Sequence, residues 1–185
     1  EADAFPFYSD DVLNNIFKHV SKQYIKLSAT LSQDDIQGEC LMIMNRRYHG
    51  HDLPIPKIKI VPQRLWPYIL HKLLKRMLKH HKRVMIYVPT KKEAEVYAQL
   101  LKKYYRVEGV SSTSQYLETY TKDFKDSKLD VLVTTTILER GITLEDVQVI
   151  VLGAGDKIFD ERTLIQIAGR VGRKIGYEDG EILLI

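Results

Sequence analysis

Only one cysteine, Cys40, occurs in 185 residues. That excludes an intramolecular disulfide and any zinc cluster built on several thiolates. It fits a reducing, cytoplasmic setting, and the apolar neighbours Leu41 and Met42 predict a buried, inert thiol. No apolar run approaches the roughly 18 residues that would cross a bilayer, and no charged-then-apolar leader opens the chain. Gly-x-x-x-x-Gly-Lys-Ser/Thr is missing, so this stretch has no phosphate-cradling loop of that type. Gly-x-Gly-x-x-Gly is missing too, which counts against a dinucleotide-binding fold. His49 and His51 have a metal-like spacing without a third ligand, so they read as solvated loop histidines and no metal site is expected.

The remaining composition is that of an ordinary globular chain, 44% hydrophobic and 28% charged, with a net charge of +4. This charge is compatible with a polyanionic partner but too mild to establish one. The length allows one well-cored domain and a small appendage. The chain opens on Glu1 rather than Met and ends inside the apolar run Ile182–Ile185, so we expect a piece of a longer protein.

Along the chain, Val12, Leu13, Ile16, Phe17 and Val20 have helical spacing. Short strands are expected at 24–27 and 40–44. Residues 45–62 hold Gly50, Pro54, Pro56 and Pro62 and read as an extended linker, with Ile58 and Ile60 suited to an edge strand. Trp66, Ile69, Leu70, Leu73, Leu74 and Met77 form a helical stripe. Its reverse side carries His71, Lys72, Lys75, Arg76, Lys79 and His80, either a solvated face or a nucleic-acid contact.

Val84–Val88 is an uninterrupted apolar strand, the pattern of a sheet covered on both faces. Thr90 and Glu93 form a capping box for a helix whose Ala94, Tyr97, Ala98 and Leu101 face inward. Strands at 107–110, 131–133, 147–152 and 181–185 alternate with helices around 115–124 and 166–173. That order specifies an α/β parallel sheet with right-handed crossovers, in which ligands bind at the carboxyl ends of the strands. There lie Thr90 and Lys91, Ser111 and Ser112, Thr134 to Thr136, and Gly153 to Gly155. Their hydroxyls, free N–H groups and lysine suit a phosphodiester backbone. Each alone is also an ordinary strand-to-helix turn.

The stretch Gln166-Ile-Ala-Gly-Arg-Val-Gly-Arg173 looks built for chemistry. On a continuous helix Leu164, Ile167, Ala168 and Val171 make an apolar stripe, while Gln166, Arg170 and Arg173 fall together opposite it. Gly169 and Gly172 are costly helix residues, about 1 kcal/mol each against Ala. The functional reading is a phosphate clamp, since Arg grips phosphate oxygens as a fork. The alternative is a surface helix with solvated arginines.

In this order and context, the motifs resemble superfamily 2, DEAD-box-like helicases and translocases. Glu1-Ala2-Asp3 is similar to the end of an Asp-Glu-Ala-Asp box, and Ser28-Ala29-Thr30 to the coupling motif. Thr134 through Thr143 resembles the motif shared by nucleic acid and nucleotide, and Gln166 through Arg173 the arginine-finger motif. The finer resemblance is to the ComFA-type DNA-uptake ATPases of natural competence. It is carried by Ala-Phe-Pro-Phe at 4–7, Val-Pro-Thr at 88–90 and the two long motifs. PriA-type replication-restart helicases are the related alternative, and a non-enzymatic α/β phosphate- or nucleic-acid-binding module is the alternative from another class.

The resemblance implies a RecA-like fold. Residues 1–45 would end a first RecA-like domain, 46–64 would link, and 65–185 would form the second. It implies that ATP and Mg²⁺ are bound mainly by a missing N-terminal part, and that single-stranded DNA is the track. Competence proteins such as ComFC and the membrane DNA channel would be partners at the cytoplasmic membrane face.

By the same resemblance, Glu1 would activate the attacking water, with Arg170, Arg173 and Gln166 at the nucleotide. Asp3, Ser28, Thr30 and Gly141 would bind or couple ATP. Thr90, Lys91, Ser112, Thr134, Thr135 and Thr136 would hold nucleic acid. Thr143 departs from the Asp that many relatives use toward the ribose. Without its phosphate-binding loop the purified chain is expected not to hydrolyse ATP. A phosphate-release assay checks this, and steady turnover abolished by Arg170→Ala would overturn it.

Overall fold

The computed structural model describes residues 11–20, 22, 25, 40–43, 47, 50–79, 83–139, 144, 146–173, 175–177 and 180–185. The chain divides into two units, Glu1–Met44 and Asn45–Ile185. In the first, helix α1 (Asp11–Val20) forms where the apolar spacing predicts it. Residues 40–43 are not a strand, and Cys40 is exposed rather than buried. Its apolar neighbours give it no cover, because Leu41, Met42 and Ile43 are themselves exposed. The strand expected at 24–27 lies outside the described residues except for Ile25.

The second unit is built on a six-stranded sheet. Its strands are β1 (Lys57–Ile58), β2 (Arg83–Tyr87), β3 (Val107–Val110), β4 (Val131–Thr134), β5 (Val147–Val151) and β6 (Ile182–Leu184). They lie in the order β1-β6-β5-β2-β4-β3, and every pairing is parallel. The period of two divides each inner strand between two cores. Val84 and Ile86 of β2 point to one face with Val131, Val133, Ile150 and Leu183, under helices α2 (Trp66–Leu78) and α3 (Lys91–Lys102). Met85 and Tyr87 point to the other with Leu132, Val149 and Ile182. There they meet Phe124 of α4 (Leu117–Lys125) and Ile167 of α5 (Glu161–Ala168). The apolar run at 84–88 thus serves both faces of a central strand.

Helix α3 starts on the capping box read from the sequence: the Thr90 hydroxyl accepts from the Glu93 N–H, and the Glu93 carboxylate accepts from the Thr90 N–H. Gly109 in β3 lets this helix lie close, since a Cβ there would sit 2.7 Å from the Ala94 carbonyl oxygen. Arg83 donates to the carbonyls of Phe124 and Lys125, capping the end of α4. Arg106 grips Asp130 with two nitrogens, joining the starts of β3 and β4, and these bonds hold the Asp130 carboxyl below its usual range. Residues 45–62 are more than a linker, because β1 extends the sheet beside β6 and Lys57 and Arg76 both bind Glu181. Burial pushes the Glu181 carboxyl up, but these two cations outweigh it and bring it below its ordinary value.

The largest departure lies at 166–173, where a continuous helix was expected. Helix α5 ends at Ala168, Gly169 caps it, and Gly172 takes φ +64°. A Cβ on Gly180 would stand 1.9 Å from Cγ1 of Val171, so this turn folds against a backbone that tolerates no side chain. Gly180→Ala should therefore destabilise the chain by about 1–3 kcal/mol in chemical denaturation. Gly155→Ala, with nothing within 4 Å of the added atom, should be close to neutral.

Candidate nucleotide and nucleic-acid site

The sheet order creates a switch point. The chain passes from β2 out to β3, returns to β4 beside β2, and then crosses to β5 on the far side of β2. The segments leaving β2, β4 and β5 therefore meet at one edge, where parallel sheets bind ligands. Backbone bonds knit them together: Val88 N–H donates to the Thr134 carbonyl (2.9 Å) and Leu152 N–H to that of Tyr87 (2.9 Å). Gly153 has φ +69°, and a Cβ there would lie 3.1 Å from Pro89 Cγ, so the exits of β5 and β2 are pressed together.

The candidate residues at this edge differ in reach. Thr134 is fully buried and its hydroxyl donates to the Thr135 carbonyl (3.0 Å); Thr135 is 8% exposed, whereas Thr136 is half-buried. Only Thr136 of the three thus presents much surface. Thr90 spends its hydroxyl and N–H on the capping box, while exposed Lys91 extends its ammonium to Thr113 Oγ1 (3.4 Å) across to the β3 exit. Ser111 is tied to Ser114, leaving Ser112 exposed in the same loop.

The arginine motif forms a second part. Helix α5, capped by Asp160 accepting from the Thr163 N–H (2.8 Å), carries the motif about 12 Å from that cap at 1.5 Å per residue. Gln166 is half-buried, Arg170 is only 5% exposed, and Arg173 is exposed. The two guanidinium groups do not share a helix face as expected, because the helix ends at Ala168, before both of them, and the chain turns at Gly172 between them. The two parts are joined through the core: Leu138, two residues after Thr136, packs in the same cluster as Ile167, Ala168 and Val171. Tyr87 adds its hydroxyl to the Leu138 carbonyl at 3.2 Å.

One residue had no sequence signal. Arg47 donates from Nη1 to the carbonyls of Val171 (2.6 Å) and Gly172, and from Nη2 to that of Gly169 (3.3 Å). Burial, and then the charge of Arg173, holds this guanidinium below its ordinary value. A partner 124 residues away leaves no local pattern to read. Glu1, Asp3, Ser28, Thr30, Gly141 and Thr143 lie outside the described residues.

The comparisons with known proteins agree with this architecture. Residues 68–175 match the helicase conserved C-terminal domain. The chain is 33% identical to competence protein ComFA of Bacillus subtilis (strain 168) over 99% of its length, covering 43% of that protein. It is 32% identical to competence protein ComFA of Streptococcus pneumoniae (strain ATCC BAA-255 / R6) over 99%, covering 46%. It thus spans less than half the length of these relatives. Among solved structures, S. cerevisiae Dbp5 bound to RNA and ADP BeF3 superimposes with a TM-score of 0.73 at 23% identity, over 100% of this chain and 50% of that one. The chain belongs to the helicase C-terminal domain family and has its RecA-like fold.

At the site's edge, Thr90→Ala should lower stability by about 1 kcal/mol through loss of the cap, read as a lower melting temperature. Ser112→Ala should leave melting unchanged.

Proposed function

We propose that, in this helicase-family chain, the strand-exit loops and the arginine turn are the second half of an ATP-driven motor on single-stranded DNA. Within the full-length parent, Arg173 and Arg170 act on the nucleotide and Gln166 supports them. The exposed Lys91 and Ser112 and the half-buried Thr136 hold the DNA backbone. Such contacts grip phosphate without reading bases, so binding is indifferent to sequence and weakens with salt.

The observation that carries this reading is the burial of Arg170. A surface helix with solvated arginines would leave it exposed, whereas burying a guanidinium is expensive unless it is paired, so Arg170 is fixed in place rather than solvated. Arg173 stands exposed on the same glycine-locked turn, where charge can be offered to an anion that arrives. The upstream part supplies the phosphate-binding loop, the Mg²⁺ ligands and the attacking water, with Glu1 and Asp3 at its end. Exposed Val12, Ile16 and Val20 on one face of α1 are consistent with a first unit that needs more chain to cover it.

The similarity to ComFA favours DNA uptake in natural competence as the task, with ComFC-like proteins and the membrane channel as partners and PriA-type restart as the alternative. No helix among the described residues is long and apolar enough to cross a membrane, so contact with a membrane would be peripheral for this part.

The test is DNA-stimulated ATPase of the full-length parent. Arg170→Ala and Arg173→Ala should each lower turnover by about 10³-fold or more, the typical worth of such a finger, with single-stranded DNA binding retained. Arg170→Lys serves as a second variant if Arg170→Ala melts. Unchanged turnover in Arg173→Ala, with binding of phosphorylated or acidic proteins instead, would favour the non-enzymatic binding module.

A further inference from the structure

We infer that Arg47 is a positioning residue for the arginine finger, holding the 169–173 turn by its carbonyls so that Arg173 is presented in one place. This rests on the motor reading of that turn.

The geometry begins with a helix end. Helix α5 finishes after eight residues, leaving its last carbonyls without intrahelical partners. The Gly169 and Arg170 N–H groups fold back onto Ile165 and Ile167, and the Val171 N–H onto Ala168. The carbonyls of Gly169, Val171 and Gly172 instead converge on one guanidinium. Its planar fork can hold three acceptors at fixed angles, which a single ammonium on a flexible stem cannot. These carbonyls bracket Arg170, and the last belongs to the residue before Arg173. The side chain of Val171 is fully buried and meets Gly180 with no room for a further side chain. The turn is therefore held twice, by an apolar contact and by a charge.

Arg47 also lies close enough to Arg173 for their charges to repel. Two cations beside one turn favour an arriving anion and push the outer, exposed guanidinium away from the inner one. Arg47 stands three residues into the second unit, where the chain enters it from the first. The posture of the finger thus depends on the path of the entering chain.

The test is steady-state ATPase of the full-length parent, saturated with single-stranded DNA. Arg47→Ala should lower kcat by up to about 10²-fold, the scale of a misplaced catalytic group. It should leave the KM for ATP and the DNA affinity unchanged. In an Arg173→Ala background the same change should cost nothing further, because the group it positions is gone. Arg47→Lys keeps the charge but not the three-carbonyl grip, so it should fold and still lose kcat.

A wild-type kcat in Arg47→Lys would overturn the inference, as would a loss in Arg47→Ala that multiplies undiminished in the Arg173→Ala background. Full turnover in Arg173→Ala alone would remove the finger assignment and this inference with it. Loss there with wild-type turnover in Arg47→Ala would remove this inference only.

Discussion

Strand β2 is buried on both faces, and that constraint organises everything else in the second unit. A central parallel strand must supply apolar groups to two cores at once, so Val84 to Val88 are all buried and their one polar side-chain group, the Tyr87 hydroxyl, is bonded to a carbonyl. Helices then have to cover both sides, and the only connections that bring a chain back parallel are long crossovers. The exits of β2, β4 and β5 are driven to the same edge as a consequence of the packing. The polar residues gathered at that edge are brought together by the packing of the apolar ones beneath it.

The arginine turn follows a different logic. A helix of eight residues is too short to be stable alone, and α5 is held by Ile167 and Ala168 in the core shared with β2 and β5. Past Ala168 the backbone leaves the helix while Val171 keeps its place in that core. Two glycines make this possible, Gly172 by taking a left-handed conformation and Gly180 by vacating the space Val171 occupies. One guanidinium is consequently sequestered and the other displayed. Two identical side chains three residues apart thus sit in different dielectric surroundings.

Guanidinium groups hold the chain at or just past the ends of two helices in this domain, α4 and α5. Arg83 closes α4 through two carbonyls, and Arg47 closes the exit of α5 through three. In both, a residue distant in sequence bonds backbone carbonyls, the last two of α4 in one case and those of the turn after α5 in the other. A positive charge thus stands near the negative end of each helix dipole. The first is a matter of stability. The second sits next to the residues on which the proposed chemistry depends.

Much of this architecture could be read from the chain alone, because it rests on local periodicity. The Thr90–Glu93 box, the inward face of α3, the stripe of α2 and the strand alternation involve residues within one or two turns of each other. The place where local reading failed is also informative. At 166–173 a helical period in the apolar residues was real, yet the glycines ended the helix and Val171 was buried by tertiary contact instead. Cys40 failed for the related reason that apolar neighbours in sequence do not make a core. By itself the sequence determined the alternating elements, the two-faced sheet and the residue types gathered at its edge, since hydrophobic spacing and capping act over a few residues. Only the tertiary structure decided that Arg170 goes inside and Arg173 outside, and that Arg47 reaches across 124 residues to the Val171 carbonyl between them. Burial and carbonyl capping depend on which segments meet in space, and no local pattern encodes that.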